Sequence, residues 1–177
     1  ECATMSTYLI TGGVGFIGSN FIKYIFEKYE DIKIICLDKL TYAGNLVNIK
    51  YELEHGKNRF EFIKGDINNK DLLDYIFNRW HITYIINFAA ESHVDRSIKD
   101  NSNLFLETNV LGVQNLMDKA KKKWETKERQ YLNGVKFLQI STDEVYGSLE
   151  NTGCFVEEDN LQPNNPYSAT KASADLL

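Results

Sequence analysis

Tyr167 and Lys171 lie four residues apart in "NNPYSATKASADLL", directly after Pro166. Proline suits the first turn of a helix, and a spacing of four puts the phenol and the ammonium on one helical face. An ammonium beside a phenol favours the phenolate, lowering a pKa that is about 10 in water toward one at which the oxygen can take a proton. Upstream, "STDEVYG" (141–147) sets Asp143 and Glu144 side by side, just after the apolar run "VKFLQI". Such a pair would repel and would be costly to desolvate if buried, so a purely structural role is awkward. Adjacent carboxyls suit chemistry that needs one carboxylate as base and one carboxylic acid as proton donor, since proximity pushes their pKa values apart.

A third pattern stands near the start. Gly12, Gly15 and Gly18 in "LITGGVGFIGSNFI" fall where an apolar run gives way to a helical one. Glycines there let the backbone approach a pyrophosphate, and the amides of Phe16 and Ile17 open a helix whose positive end faces the phosphates. A tight turn needing positive φ explains one glycine better than three. Asp38 comes twenty residues after Gly18, where a carboxylate can hydrogen-bond the adenosine ribose hydroxyls. A 2′-phosphate would meet that carboxylate unfavourably, so NAD is preferred to NADP, although Lys39 next door is a cation able to accept such a phosphate. Asp66 in "GDI" ends a further strand, placed either to reach the adenine amino group or to cap the helix that follows.

Five short apolar and β-branched runs must position these groups: 6–11, 32–38, 60–66, 83–90 and 135–142. Helical signals lie between them. Ile17, Phe21, Ile22, Ile25 and Tyr29 mark one, and Leu72, Leu73, Ile76, Phe77 and Trp80 another. Leu106, Val110, Val113, Met117, Ala120 and Trp124 advance by steps of four and three, which puts all six on one face of a 104–124 helix as core. The 39–59 connection leaves room for a short helix. Strands apolar on both faces and joined by helices predict an α/β fold, a doubly wound parallel sheet of the Rossmann-like, NAD-binding kind.

Composition narrows the function classes. The 177 residues, 43% hydrophobic and 12% aromatic, suffice for one domain over 1–177 with a real core. A formal charge of −5 argues against general affinity for nucleic acid or an acidic membrane surface. The basic cluster Lys119 to Lys123 reads as a solvated helix end, where cations suit the helix dipole. Cys2, Cys36 and Cys154 have no paired or metal-ligand spacing, so no disulfide framework and no metal site is expected, and a reducing cytoplasm fits. No segment approaches the ~18 consecutive apolar residues of a membrane span. Met5 reads as a natural start, with Glu1 to Thr4 foreign to it.

The glycine turn, the parallel-strand pattern and the Tyr167–Lys171 pair together resemble the short-chain dehydrogenase/reductase family in its extended branch. Four stretches, "TGGVGFIGSNFI", "LDKLTYAGN", "NFAAESHVDRSI" and "STDEVYG" with "NPYSATKASADLL", are similar to the sugar-nucleotide 4,6-dehydratases of that branch, those acting on dTDP-glucose above all. The resemblance implies that Tyr167 is the base at the sugar C4 hydroxyl, that Lys171 also holds the nicotinamide ribose, and that Ser141 or Thr142 bonds the reacting hydroxyl. It makes Asp143 the acid at the C6 hydroxyl, Glu144 the base at C5, and Thr142 and His93 substrate contacts. Gly12, Gly15, Phe16, Ile17, Gly18, Asp38, Lys39, Leu40, Thr41, Asp66, Ile67, Ala89, Ala90, Glu91, Ser92 and Thr108 match its cofactor positions, beside Tyr167 and Lys171. Val14 departs mildly, being commonly alanine in relatives.

A 4-epimerase of the branch has no use for the acid pair; a dehydratase does. The resemblance therefore implies conversion of dTDP-glucose to its 4-keto-6-deoxy product in deoxysugar (rhamnose-type) biosynthesis. UDP-glucose 4,6-dehydratase, another epimerase or decarboxylase of the family, and a non-catalytic NAD-binding module stand as alternatives. It also implies a homodimer, paired through a four-helix bundle to which the 104–124 and Tyr167 helices contribute. Family members continue for roughly as many residues again with a smaller substrate lobe, so residues 1–177 alone are expected to be weakly active or inactive.

Overall fold

A computed structural model describes residues 5–92, 97, 102–149 and 152–177. The chain forms two compact units: Glu1–Ala89 with Asn115–Gln139, and Ala90–Gln114 with Ile140–Leu177.

The first unit is a parallel sheet. Its strands are β1 (Ser6–Thr11), β2 (Ile32–Asp38), β3 (Phe60–Lys64), β4 (Tyr84–Asn87) and β5 (Lys136–Gln139), in the order β3-β2-β1-β4-β5. All four pairings are parallel. The strand order reverses at β1, so the carboxyl ends of β1, β2 and β4 meet at the switch point where such sheets hold ligands. Between the strands run α1 (Phe16–Lys28), α2 (Lys50–His55) after a 3-10 turn at Leu46–Ile49, and α3 (Lys70–Arg79). Strand residues alternate between faces, as the two-residue period requires. Leu9, Ile35 and Ile85 pack with Leu73, Ile76 and Phe77 on one side; Ile10, Ile34 and Cys36 pack with Ile22, Ile25 and Phe26 on the other. This is the doubly wound α/β class that the alternating runs predict, with the last three strands shorter than their apolar stretches.

The helix expected over 104–124 differs in one respect. It runs as α4 (Ser102–Leu106), a π-helical turn (Glu107–Leu111) and α5 (Gly112–Trp124). A π turn holds one residue more than an α turn, so the inward face shifts at that point. Phe105 and Asn109 are buried upstream, and Val113, Leu116, Ala120 and Trp124 downstream, whereas Leu106 is 49% exposed. Leu116 replaces Met117 in the apolar stripe. The Trp124 indole also donates to the Ile82 carbonyl at 2.8 Å, which anchors the end of α5 in the first unit.

The second unit carries α4, the π turn, a 3-10 turn at Asp143–Tyr146 and α6 (Pro166–Asp175). No helix among the described residues is long and apolar enough to cross a membrane, and no three described His, Cys, Asp or Glu side chains could hold a metal.

The shifted helix face can be checked by urea denaturation. Leu116→Ala should cost about 2–5 kcal/mol by opening a core cavity. Leu106→Ala should cost under about 1 kcal/mol, as expected of a residue with little to lose. Equal losses would restore the uninterrupted stripe.

Candidate active site

In the first unit the glycine turn is fixed by close backbone approach. Gly12 has φ of 67°, and a Cβ there would lie 2.6 Å from the Ala89 amide nitrogen. A Cβ on Gly18 would lie 2.4 Å from the Gly12 carbonyl oxygen. Gly15 is less crowded, its nearest neighbour the Gly12 carbonyl at 3.4 Å. Gly15 is the N-cap of α1, no side chain caps it, and no acid stands in the first turn. Phe16 and Ile17 are 83% and 63% exposed. The start of this thirteen-residue helix therefore offers backbone donors and a positive dipole end to an anionic group.

Asp38, at the end of β2, ties the turn to the next loop. Its Oδ2 accepts from the Val14 amide at 3.1 Å and its Oδ1 from the Leu40 amide at 2.8 Å. Leu40 takes a left-handed backbone, φ 58°. Lys39 pairs with Asp66 at 2.6 Å. Asp66 also accepts from the Asn68 amide at 2.9 Å, while Asn69 is the residue that caps α3. Burial works to raise the Asp66 pKa, but the Lys39 charge and the Asn68 bond outweigh it and hold the group below its ordinary value. Ile67 is buried, and Thr41 lies on the surface. Beneath the turn, Thr11 donates to Asn87, and Asn87 donates to Gln139 at 2.7 Å. Thr11↔Asn87 and Asn87↔Gln139 are register partners, so this polar ladder crosses three strand ends. The turn thus offers uncapped backbone donors, and the end of β2 a carboxylate, at the positions where the sequence leads one to expect a dinucleotide.

Every residue assigned to catalysis belongs to the second unit. Thr142 caps the Asp143–Tyr146 turn, accepting from the Glu144 amide at 3.3 Å and donating to the Asp143 carboxylate at 3.3 Å. The strand stops at Gln139, Asp143 is exposed and Glu144 is half-buried, so the desolvation cost expected of paired acids at a buried strand end is avoided. Gly147, at φ 101°, leaves room for the Gln162 carbonyl, and the Gln162 amide donates to Val145 at 2.9 Å. That return of the chain brings Asn165 to the acids. Asn165 caps α6 through the Ser168 amide at 2.8 Å, and its own amide donates to Glu144 Oε2 at 3.1 Å. Proline at the first turn makes this start rigid.

The phenol differs from expectation. Burial raises the Tyr167 pKa, a hydrogen bond with Thr142 pulls it back, and the charges of Glu144 and Asp143 push it up again, for a net rise. The Lys171 ammonium, buried on α6, donates to the Ile140 carbonyl. Burial lowers the Lys171 pKa, with Asp175 opposing. Ser141 donates to Asp175 as well.

Asn109 was not singled out by the sequence. It sits in the π turn with 1% exposure. Its Oδ1 accepts from the Glu91 amide at 2.8 Å, and its Nδ2 donates to the Glu91 carbonyl at 2.9 Å and to Thr170 Oγ1 at 3.0 Å. Thr170 in turn donates to the Tyr167 carbonyl at 2.7 Å. One amide therefore joins the Ala90–Ser92 segment to α6. The π turn is the signal, since such turns recur at functional sites. Thr108 is half-buried in the same turn, and His93 lies outside the described residues.

The sheet, its glycine turn and the Tyr167 helix place the chain among Rossmann-like α/β proteins. A family model described as GDP-mannose 4,6 dehydratase matches residues 9–177, and the chain belongs to that family. It is 48% identical over 169 residues to the low-salt glycan biosynthesis protein Agl12 of Haloferax volcanii, covering 96% of this chain and 49% of the relative. It is 43% identical over 173 residues to a dTDP-glucose 4,6-dehydratase of Xanthomonas campestris pv. campestris, covering 98% and 48%. A dTDP-glucose 4,6-dehydratase of Bacillus anthracis, solved in complex with NAD, superposes with a TM-score of 0.81 at 44% identity, covering 97% of this chain and 48% of that one. The chain spans about half the length of the curated relatives it matches.

The balance of charges at Tyr167 is open to titration by NMR of ring-labelled tyrosine, with Tyr167→Phe assigning the signal. Asp143→Asn should lower the phenol pKa by removing a like charge. Thr142→Val should raise it by removing the stabilising hydrogen bond. No movement in either variant would separate these groups from Tyr167.

Proposed function

We propose that the protein of which these residues form part is a dTDP-glucose 4,6-dehydratase using NAD. The observation that carries the reading is the assembly of Thr142, Asp143, Glu144, Tyr167 and Lys171 in one compact unit, with the acid pair on a solvent-facing turn. The relatives named for this activity support the substrate.

Tyr167 takes the C4 hydroxyl proton, and the Thr142 hydroxyl bonded to it holds that phenol and the sugar oxygen in line. Gly12, Gly15, Gly18 and Asp38 would hold NAD, which would supply the redox chemistry of a hydride removed at C4 and given back at C6. With C4 a ketone, the C5 proton is acidified and Glu144 removes it, its carboxylate steadied by the Asn165 amide. Asp143, exposed beside it, protonates the C6 hydroxyl, which leaves as water. C5 then recovers its proton from Glu144, the proton taken from C4 by Tyr167 replaces, through solvent, the one Asp143 gave up, and the cycle closes with no net oxidation. Lys171, buried on α6, orients the cofactor ribose. The product feeds rhamnose-type deoxysugar synthesis, and the protein works as a cytoplasmic homodimer.

The test uses full-length protein with dTDP-glucose, UDP-glucose and GDP-mannose in parallel. The 4-keto-6-deoxy product is expected from dTDP-glucose, and a strong preference for either other sugar nucleotide would move the proposal to that substrate. Glu144→Gln should lower kcat by roughly 10²–10⁴-fold, the usual contribution of a general base, while reduced nicotinamide accumulates on the protein. Loss of C4 oxidation together with elimination would contradict the role given to Glu144.

A further inference from the structure

A lysine one residue beyond a ribose-reading aspartate is ambivalent. Asp38 repels a 2′-phosphate, whereas a free ammonium at Lys39 would attract one. In the first unit that ammonium is not free: Lys39 Nζ lies 2.6 Å from Asp66 Oδ2. The Lys39 side chain is 53% exposed, while Asp66, at 29%, is held by a further bond. The other Asp66 oxygen accepts from the Asn68 amide at 2.9 Å. The turn carrying Lys39 is held by the Leu40 amide on Asp38 and by the Gly65 amide on the Asp38 carbonyl, each at 2.8–2.9 Å. Asp38↔Lys64 is the last register pair of β2 and β3, so the two acids stand at neighbouring strand ends. Lys64, the register partner of Asp38, brings a second cation to this corner, so what sets the fate of Lys39 is its contact with Asp66 rather than the net charge.

We propose that the Lys39–Asp66 ion pair is a cofactor-discriminating device, in which Asp66 occupies the ammonium that follows Asp38 in the chain and denies it to the 2′-phosphate of NADP. This rests on the reading that Asp38 meets the adenosine ribose of a bound dinucleotide. Asp66 is then a specificity residue that acts through Lys39. An ammonium already in contact with a carboxylate is a poorer ligand for a second anion than a free one.

Equilibrium titration of full-length protein with NAD and with NADP, followed by intrinsic fluorescence, tests the device without turnover. The wild type should bind NAD and discriminate against NADP. Asp66→Asn should shift the ratio of dissociation constants toward NADP by about tenfold or more, because the released Lys39 becomes a phosphate ligand. In a Lys39→Met background the same substitution should shift the ratio by less than about threefold, and Lys39→Met alone should leave NADP rejected. Since Lys39→Met breaks the same ion pair, damage to the fold would appear in both single variants and is separated from specificity. An unchanged ratio in Asp66→Asn, or an equal shift in both backgrounds, would overturn the proposal, the second by showing that Asp66 acts through its own charge. Wild-type protein that binds neither dinucleotide would instead sink the underlying reading of Asp38, and the inference with it.

Discussion

Backbone must touch backbone at the carboxyl end of β1, and much of the first unit follows from that. The Gly12 carbonyl occupies the space that a Gly18 side chain would need, and the Gly12 Cα faces the Phe88–Ala89 peptide with no room for a Cβ. The approach sets the exit of α1 from the sheet and the level at which β4 ends. It also leaves the first amides of α1 clear of side-chain caps. Asp38 completes the arrangement with two backbone bonds, to Val14 in the glycine turn and to Leu40 in its own loop. A carboxylate bound on both oxygens has little rotational freedom left, so the group proposed to read a ribose is set by the backbone alone.

In the second unit, side-chain amides do the equivalent work. Asn165 starts α6 and reaches Glu144; Asn109 grips both polar atoms of the Glu91 backbone and reaches Thr170. An amide offers donors and an acceptor in one plane, and can therefore tie two segments that an apolar contact would only press together. Buried without partners, such groups would be costly, so each fixes a single arrangement of the segments it joins. Tyr167 and the acids inherit their placement from these two asparagines.

What the sequence made legible, and what it hid, divides along the same line. Periodicity finds five strands and the helices between them, because a sheet covered on both faces needs apolar runs and glycine breaks that are local in the chain. The stripe through Leu106 misleads because a π turn is a one-residue insertion without an apolar signature; only Asn109, a buried polar residue in the run, marks it. Asn165 left a clearer trace, an amide directly before a proline, which is a helix start. The allegiance of Lys39 was unreadable, since its partner stands at the end of a different strand. The Thr11–Asn87–Gln139 ladder likewise depends on register, which no single run of sequence contains.

The electrostatics of Tyr167 bear on what the proposed dehydration asks of a site beyond oxidation. Proton removal from a hydroxyl favours a phenolate, and for that step nearby carboxylates are a hindrance: Glu144 and Asp143 raise the phenol pKa, and burial raises it further. Elimination across C5 and C6 nonetheless needs a base and an acid close to the same sugar. Geometry eases the conflict. The acids lie on a 3-10 turn with Asp143 open to water, where their charges are screened, while the Thr142 hydroxyl that caps that turn is the group that stabilises the phenolate. One threonine thus orders the acid-bearing turn and opposes, in part, the rise that burial and the acids cause at the phenol; its single proton is shared between Asp143 and Tyr167, which couples the two halves of the proposed chemistry through one hydroxyl.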